Sequence, residues 1–295
     1  MRMDTRVQEL LPIIEAFGFA SPTIEEVRTR FRATASAFPA PEGVVIETIR
    51  VAGRDALRVR PEVGDVEGRV LHLHGGGFVI GELDVQLSMP ARLCLATGAE
   101  VVSLDYRTAP EDPCPAAVDD TVAAYEELLA DGPVDALAGE SAGGALAILA
   151  AVALRDRGTT LPAALLAFSP WFDIAGTSAR YADESFVDPV LPRSFLPLAS
   201  NAWRGELSVE DPRVNPLHTS VEGLPATLLH VGGAEMVLED SERLASRLAG
   251  AGVEVELRVW PEMIHVFAAY PNLVPEADQS LMAAAAFLAA HRSPD

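Results

Sequence analysis

The stretch that decides the fold is LAGESAGGA, residues 137–145, in which one serine stands between small residues. A short apolar run ends there, as expected of a buried strand, and residues 142–154 are apolar on every side, as expected of a buried helix. Gly139 and Gly143 allow a sharp turn and a close approach of the helix to the strand. Ser141 would then lie above the strand end, near the positive end of the helix and exposed to a substrate. Similar turns can serve packing alone, but the strand and helix around this one make Ser141 a candidate nucleophile.

Short apolar runs alternate with helical patterns over most of the chain. Strands that alternate with helices form parallel sheets covered on both faces, so the sequence predicts an α/β fold with a mostly parallel sheet. The first two runs have no helix between them and should form an antiparallel edge. The strand-like runs are residues 43–51, 56–61, 69–74, 100–106, 134–139, 163–169, 226–232 and 253–260. The helical patterns of this part are residues 115–130, 142–154, 237–250 and 275–291.

Two segments depart from this alternation. Residues 1–40 contain two amphipathic helices, the second of which begins with a capping box of Thr23 and Glu26. Residues 173–220 form a long excursion rich in proline, aspartate and aromatic residues, and insertions of that length are usually functional, often as lids. We therefore expect residues 1–295 to form a single domain, with a cap made by about 1–40 and 173–220.

The charge and the basic residues exclude several classes of function. The net charge is −21, which argues against nucleic acid or an anionic membrane as a partner. All 22 basic residues are arginine, so chemistry that needs a lysine is excluded: Schiff bases, pyridoxal phosphate, a Walker A loop and Ser–Lys catalysis. Cys94 and Cys114 have neither metal nor redox spacing, so we expect free thiols, with a single disulfide as the alternative.

The sequence contains no apolar run long enough to cross a bilayer. The N-terminal segment has acidic residues within its apolar pattern and no small-residue cleavage site, so we interpret it as an amphipathic helix and not as a signal peptide. The expected location is the cytoplasm. His72 and His74 share one strand face, but no further ligand cluster accompanies them, so no metal is expected.

The segment LHLHGGGFVIG, residues 71–81, places three glycines after a strand. Consecutive glycines cost conformational entropy, and a close approach of the backbone to a developing oxyanion would explain them. We expect the N–H groups of Gly75 and Gly76, together with that of Ala142, to bind this oxyanion. The alternatives are a flexible loop and a phosphate-binding loop, and the latter lacks both a lysine and the G-x-G-x-x-G spacing. His74 is expected to anchor the loop.

His265 is the candidate general base. It follows the last strand in VWPEMIHVF, residues 259–267, after the serine and after a candidate acid in the order expected for a Ser–acid–His triad. A lone histidine is more often structural. However, His218 lies in the excursion and His230 lies inside a strand, so neither fits this position as well.

Six motifs in this order resemble those of one enzyme family: HGGGF (74–78), DYRTAPEDPCPAA (105–117), GESAGG (139–144), SPWFD (169–173), DPVL (188–191) and EMIH (262–265). They make the chain similar, over nearly its whole length, to the hormone-sensitive-lipase-like branch of the α/β-hydrolases and its bacterial carboxylesterases. The resemblance implies an eight-stranded sheet, a helical cap, and hydrolysis of short- to medium-chain acyl esters without a cofactor. It implies that Arg107 and Glu111 hold loops near the oxyanion loop. The chain departs from the family at Glu140, where aspartate is frequent, and at Glu262, where glycine is usual.

The triad acid is the serious departure. The resemblance places an aspartate at about position 234, where this chain has Ala234. Three carboxylates follow in the same turn and helix start, namely Glu235, Glu239 and Asp240. We expect Glu235 to take the role, and we expect Asp240 to point away, one turn into the helix. The alternatives are that Glu235 is an ordinary acid at a helix N-terminus, or that the triad is disarmed.

The primary functional hypothesis is a serine carboxylesterase acting on a small neutral ester or lactone. The alternative is a non-hydrolytic relative, such as a dehydratase or cyclase of secondary metabolism, and Ala234 is the feature that favours it. A binding protein built on the same fold is the third hypothesis. It is disfavoured because such a protein needs neither Ser141 nor His265.

Two further expectations concern the surfaces around the site. Phe78, Phe186 and Phe195 are candidate walls of the substrate pocket, although each could equally belong to the core of the cap. The last predicted strand, residues 253–260, should be an open edge, and such edges tend to be covered or paired. We therefore expect a homodimer through this strand.

Overall fold

The computed structural model describes residues 5–34, 39–270 and 274–292, and eight strands run through it. They are β1 (Val44–Val51), β2 (Arg54–Pro61), β3 (Arg69–Leu73), β4 (Glu100–Leu104), β5 (Ala136–Glu140), β6 (Ala164–Phe168), β7 (Ala226–Gly232) and β8 (Val255–Trp260). They form one sheet in the order β1-β2-β4-β3-β5-β6-β7-β8. Strand β2 is antiparallel to both β1 and β4, and all other neighbours are parallel. The mostly parallel eight-stranded sheet with an antiparallel edge is confirmed.

The helices cover both faces of this sheet. In the described part they are α1 (Thr5–Ala16), α2 (Ile24–Arg32), α3 (Ser88–Thr97), α4 (Ala116–Asp131), α5 (Ala142–Asp156), α6 (Ala179–Ala182), α7 (Phe195–Arg204), α8 (Leu238–Gly250) and α9 (Pro275–His291). Leu71 and Leu73 of β3 face a core shared with α4, α5 and α8, while Val70 faces a second core beneath α3 and α9. This division follows from the alternation of side chains along a strand.

The parallel strands bring the candidate site residues to one edge of the sheet. Strands β3, β5, β6, β7 and β8 are parallel, so their carboxyl ends lie together. The glycine loop follows β3, Ser141 follows β5, Glu235 follows β7 and His265 follows β8. Loops at the carboxyl ends of such strands are where α/β proteins bind ligands.

Glycine is required where α5 meets the sheet. A Cβ atom at Gly143 would collide with the carbonyl oxygen of Leu73, and one at Gly139 would collide with the carbonyl of Gly143. The helix therefore packs directly on the backbone of β3, as the sequence indicated. This contact fixes the height at which the helix, and the serine before it, stand above the strands.

The two segments expected to form the cap meet over this edge. The rings of Phe19, from the N-terminal segment, and Phe195, at the start of α7, have centroids 4.9 Å apart. Helices α6 and α7 are the helical part of the predicted excursion. The division of residues 1–295 into a single domain with a cap of about 1–40 and 173–220 stays a prediction, and residues 1–4 and 35–38 of that cap lie outside the described residues.

Helix α1 packs against the other end of the chain. Its apolar residues Val7, Leu10 and Ile14 share a buried cluster with residues that flank and begin α9, namely Tyr270, Val274 and Ala277. Arg6 of α1 also donates a hydrogen bond to Glu276 of α9 at 3.1 Å. The two ends of the described chain thus complete one core.

Strand β8 has one neighbour, β7, among the described residues, so its other side is an open edge. The homodimer through β8 stays a prediction. Cys94 and Cys114 are free and buried, as expected. Among the helices of the described segments, none is long and apolar enough to cross a membrane.

Candidate active site

Ser141 stands in a strained turn between β5 and α5. Its φ of 53° lies in the left-handed region, which a residue with a side chain adopts only when its surroundings impose it. Two backbone bonds impose it here: the N–H of Ser141 donates to Phe168 O at 2.9 Å, and its carbonyl accepts from Trp171 N at 3.1 Å. The hydroxyl is thereby presented at the N-terminal end of α5, as predicted.

His265 connects Ser141 to the acid. Its Nε2 lies 2.9 Å from the Oγ of Ser141, and its Nδ1 lies 2.8 Å from the Oε2 of Glu235. With Nδ1 protonated toward the carboxylate, Nε2 is free to accept the proton of the serine hydroxyl. The structure therefore brings together the three predicted triad residues, Ser141, His265 and Glu235.

The carboxylate of Glu235 is held at both oxygens. Its Oε1 accepts hydrogen bonds from the Oγ of Ser169, at 2.6 Å, and from the N–H of Gly232. Ser169 in turn accepts from the N–H of Val266, the residue after the histidine, at 2.9 Å. Burial raises the pKa of Glu235, and its bond to His265 acts in the opposite direction. Sequence reasoning missed Ser169, although it opens the SPWFD motif.

The other carboxylates of the turn point elsewhere. Asp240 accepts from the N–H groups of Phe172 and Asp173 at 3.1 and 2.9 Å, and Glu239 accepts from Ala179 N at 2.7 Å. Ala234 lies in a buried apolar cluster. The acid is therefore present one position after the place that the resemblance indicated.

Gly75 is not available as an oxyanion donor, which corrects the sequence prediction. Its N–H donates to the Oε1 of Glu140 at 2.8 Å. The Oε2 of Glu140 is bonded to His72 Nε2 at 2.8 Å, and His72 Nδ1 is 3.0 Å from Ser103 Oγ. Burial alone would raise the pKa of Glu140, but His72 and the Gly75 N–H outweigh it and lower that pKa. The first glycine thus ties the loop to the residue before the nucleophile.

The next two glycines border the site. Gly76 and Gly77 line the pocket beside Ser141, and no described residue accepts a hydrogen bond from either N–H. Ala142 is the first residue of α5, where an N–H has no partner within the helix. The candidate oxyanion donors are therefore Gly76, Gly77 and Ala142, shifted by one glycine from the prediction.

His74 anchors the loop, as expected. Its ring is stacked on that of Tyr106, with centroids 4.0 Å apart, and its Nδ1 is bonded to Gly75 O at 2.8 Å. The hydroxyl of Tyr106 donates to His74 O at 2.7 Å. Burial lowers the pKa of His74 to about 4, so the ring is neutral at pH 7.

The two residues expected to brace the loop have different partners. Glu111 accepts two hydrogen bonds of 2.7 Å from Arg28, a residue that sequence reasoning did not single out. Arg107 instead donates to the carboxylate of Asp120 on α4, at 2.7 Å for the shortest bond. Arg107 therefore ties the segment after β4 to α4, and its role as a support for loops near the oxyanion loop stays a prediction.

The substrate pocket is largely aromatic and aliphatic. Of the three predicted wall residues, Phe195 lines it. Phe78 does not, because its buried ring is stacked on Trp203 at 3.9 Å, and Phe186 does not, because it lies under the guanidinium of Arg180 at 4.8 Å. Four further aromatic residues line it that were not predicted: Phe17, Phe19 and Phe31 of the N-terminal segment, and Tyr270. The recurrence of the three phenylalanines around two amphipathic helices was the available signal.

Comparisons with known proteins identify the family of the chain. A family model described as the α/β hydrolase fold matches residues 70–269. An acetyl-hydrolase of Streptomyces hygroscopicus is 38% identical over 246 residues, which cover 82% of this chain and 82% of that protein. A crystal structure of an esterase from the bacterial hormone-sensitive lipase family matches with a TM-score of 0.92 and 33% identity, covering 99% of each chain.

A second solved structure, of EstE5 soaked with p-nitrophenyl butyrate, matches with a TM-score of 0.89 and 30% identity over 98% of this chain and 99% of that one. The similarity thus extends over nearly the whole chain. The chain belongs to the bacterial hormone-sensitive-lipase family of α/β-hydrolases, and it is a carboxylesterase.

Proposed function

We propose that this carboxylesterase cleaves short- to medium-chain acyl esters, or lactones, through an acyl-enzyme intermediate on Ser141. The observation that carries the proposal is the continuous line of hydrogen bonds from Ser141 through His265 to Glu235 at an apolar pocket. Such a line activates a serine hydroxyl at neutral pH, because the histidine accepts its proton while the carboxylate stabilises the imidazolium.

The reaction proceeds in two halves. His265 takes the proton as Ser141 attacks the ester carbonyl, and the N–H groups of Gly76, Gly77 and Ala142 bind the oxyanion. His265 then protonates the leaving alcohol. In the second half it activates a water molecule, which attacks the acyl-enzyme and releases the acid.

The pocket supports an uncharged, short to medium acyl group. Its walls are aromatic and aliphatic, and an acidic protein does not attract anionic substrates. The relatives agree with this size class. One is named an acetyl-hydrolase, and the EstE5 crystal was soaked with the ester of a four-carbon acid.

The alternative of a dehydratase or cyclase depended on Ala234. Glu235 now fills the place beside His265 that Ala234 left in doubt, so that feature no longer favours a non-hydrolytic reaction.

The test is p-nitrophenyl butyrate hydrolysis by the wild type, by Glu235→Gln and by the control Glu239→Gln. Glutamine keeps the size of Glu235 but does not stabilise the imidazolium, so we expect kcat to fall by roughly 10³–10⁴. Glu239 has no bond to His265, and its variant should stay within about threefold of wild type. A Glu235→Gln variant as active as wild type would refute the assignment. A wild type that is labelled at Ser141 by an organophosphate but turns over no ester would instead favour the alternative.

A further inference from the structure

Arg28 joins helix α2 to the loop that follows the oxyanion glycines. Its Nε donates to Val79 O at 2.6 Å, and its Nη2 donates to Ala109 O at 2.8 Å and lies 3.2 Å from Thr108 Oγ1. The two Nη atoms also form a bidentate pair with Glu111. These bonds lower the pKa of Glu111 to about 2, so the pair is ionised at neutral pH.

The hydrogen bond from Arg28 to the Val79 carbonyl supports the turn that orients one oxyanion donor, the N–H of Gly77. The N–H groups of Val79 and Ile80 both donate to the carbonyl of Gly76, at 3.0 and 2.9 Å. That carbonyl belongs to the same planar peptide unit as the N–H of Gly77. Because the Gly76 carbonyl is held in place, the direction in which the Gly77 N–H points is fixed.

The turn needs such support because it is strained. Phe78 has a φ of 62°, in the left-handed region, and a residue with a side chain stays there only when several contacts impose it. Its carbonyl accepts from Ala109 N at 2.9 Å, and its ring is stacked on Trp203. Arg28 holds both Val79 and Ala109, so it connects the two sides of the turn.

Helix α2 also carries Phe31, which lines the substrate pocket. One short helix thus contacts the place where the acyl group binds and, through Arg28, the loop that stabilises the transition state. A shift of α2 at Phe31 would therefore also displace Arg28 and the loop that carries the Gly76 and Gly77 N–H groups.

We propose that Arg28 is a positioning residue that holds the oxyanion loop in its active geometry and couples the N-terminal cap segment to catalysis. The inference rests on the proposed function, since it requires an oxyanion at Gly76 and Gly77. Arg28 touches no reacting atom. Its loss should therefore weaken binding of the tetrahedral state more than binding of the ester.

The experiment compares Arg28→Met with the control Arg30→Met. Arg30 lies on the same helix and bonds to Glu15 O, away from the loop. The readouts are kcat and KM for p-nitrophenyl butyrate, counted per active site by organophosphate titration, and the inhibition constant of a trifluoromethyl ketone with a propyl chain, which forms a tetrahedral adduct with Ser141. For Arg28→Met we expect kcat to fall by roughly 10- to 100-fold, with KM within about threefold.

The inhibition constant should rise by the same factor as kcat/KM falls, and Arg30→Met should match the wild type in all three quantities. If Arg28→Met does not fold, Arg28→Lys carries the same test, because lysine keeps the charge but lacks the planar fork. An unchanged kcat, or a lower kcat with unchanged binding of the ketone, would overturn the inference and leave the proposed function standing. A wild type without esterase activity would overturn the proposed function as well.

Discussion

Glu262 occupies a backbone conformation that favours glycine, three residues before the catalytic histidine. Its φ is 62°, and the resemblance to the family indicates glycine at this position. Ser141 is strained as well, but its strain presents the nucleophile. Glu262 contributes nothing comparable, and its side chain is exposed. At this position the chain carries strain that can be removed without touching the reaction.

Glu262→Gly should therefore raise the free energy of unfolding by about 0.5–1 kcal/mol, as relief of the left-handed conformation exceeds the extra entropy of the unfolded chain. Urea denaturation measures this as a higher midpoint with an unchanged slope. Glu262→Ala keeps the β-carbon and loses the carboxylate, so it should show no gain. A glycine variant less stable than the alanine variant would contradict the explanation.

The sequence predicted the reactive residues better than the residues that hold them in place. The serine and histidine follow from motif order, and Glu235 follows from its place next to position 234, where the resemblance indicates the acid. The donor role of Gly75 was wrong because the direction of an N–H depends on a partner, Glu140, sixty-five residues away. Arg28 was missed for the same reason, since its partners lie in other segments.

Among the elements, the excursion between β6 and β7 holds the acid in place. Asp188 accepts from Met236 N, the residue after the acid, at 2.6 Å, and from the N–H groups of Val190 and Leu191, which line the pocket. Arg180 donates to the carbonyls of Gly233 and Glu235. The turn that carries Glu235 is thus held by hydrogen bonds from the same segment that lines the pocket. In the same way, α2 holds the segment after the glycine loop.

Asp188→Asn should destabilise the protein by roughly 1–3 kcal/mol and lower kcat, because an amide cannot accept at both ends and leaves a buried N–H unpaired. Urea denaturation and p-nitrophenyl butyrate turnover measure the two effects. Asp183→Asn is the control, since Asp183 is exposed on the same segment and bonds to Ser185. Equal stability of Asp188→Asn and wild type would show that the contact with Met236 contributes little.

The DPVL motif indicated Asp188 only as part of a resemblance, and two of the three predicted pocket residues, Phe78 and Phe186, do not line the pocket. Phe78 and Phe186 are as apolar as Phe195, and the sequence does not show which ring faces a cavity and which faces a neighbour. The eight strands and most helices, in contrast, followed from periodicity, because they bury stripes that recur at fixed spacing, whereas α3 was not predicted.

At the scale of the whole molecule, burial sets how stability depends on pH. His230 of β7 is buried against α9, with its Nδ1 2.7 Å from the Oγ of Ser280, and burial lowers its pKa to about 3. In the unfolded chain the pKa of a histidine is near 6.5. Below that pH His230 is therefore protonated in the unfolded chain but still neutral in the folded protein. The stability associated with this site is complete above pH 6.5 and declines as the pH falls toward 3.

We therefore expect His230→Asn to be less stable than wild type at pH 7.5, and the gap to shrink by about 2 kcal/mol at pH 5. The difference between the two proteins is the quantity to measure, by urea denaturation at several pH values, because buried acids such as Asp240, whose pKa is raised by burial, contribute with the opposite sign. A constant gap for His230→Asn would contradict the prediction.

The packing of α1 against α9 has a consequence for the time at which the enzyme becomes active. Residues 5–16 leave the ribosome long before residues 274–277, which cover their apolar face. The pocket likewise joins Phe17 and Phe19 to Tyr270 and His265. During synthesis the apolar face of α1 is therefore exposed until residues 274–277 have been made. Exposed apolar surface of this kind makes nascent chains prone to aggregate or to bind chaperones. We therefore expect catalytic competence to arise late in folding, when α9 docks against α1 and residues from both parts of the chain complete the pocket.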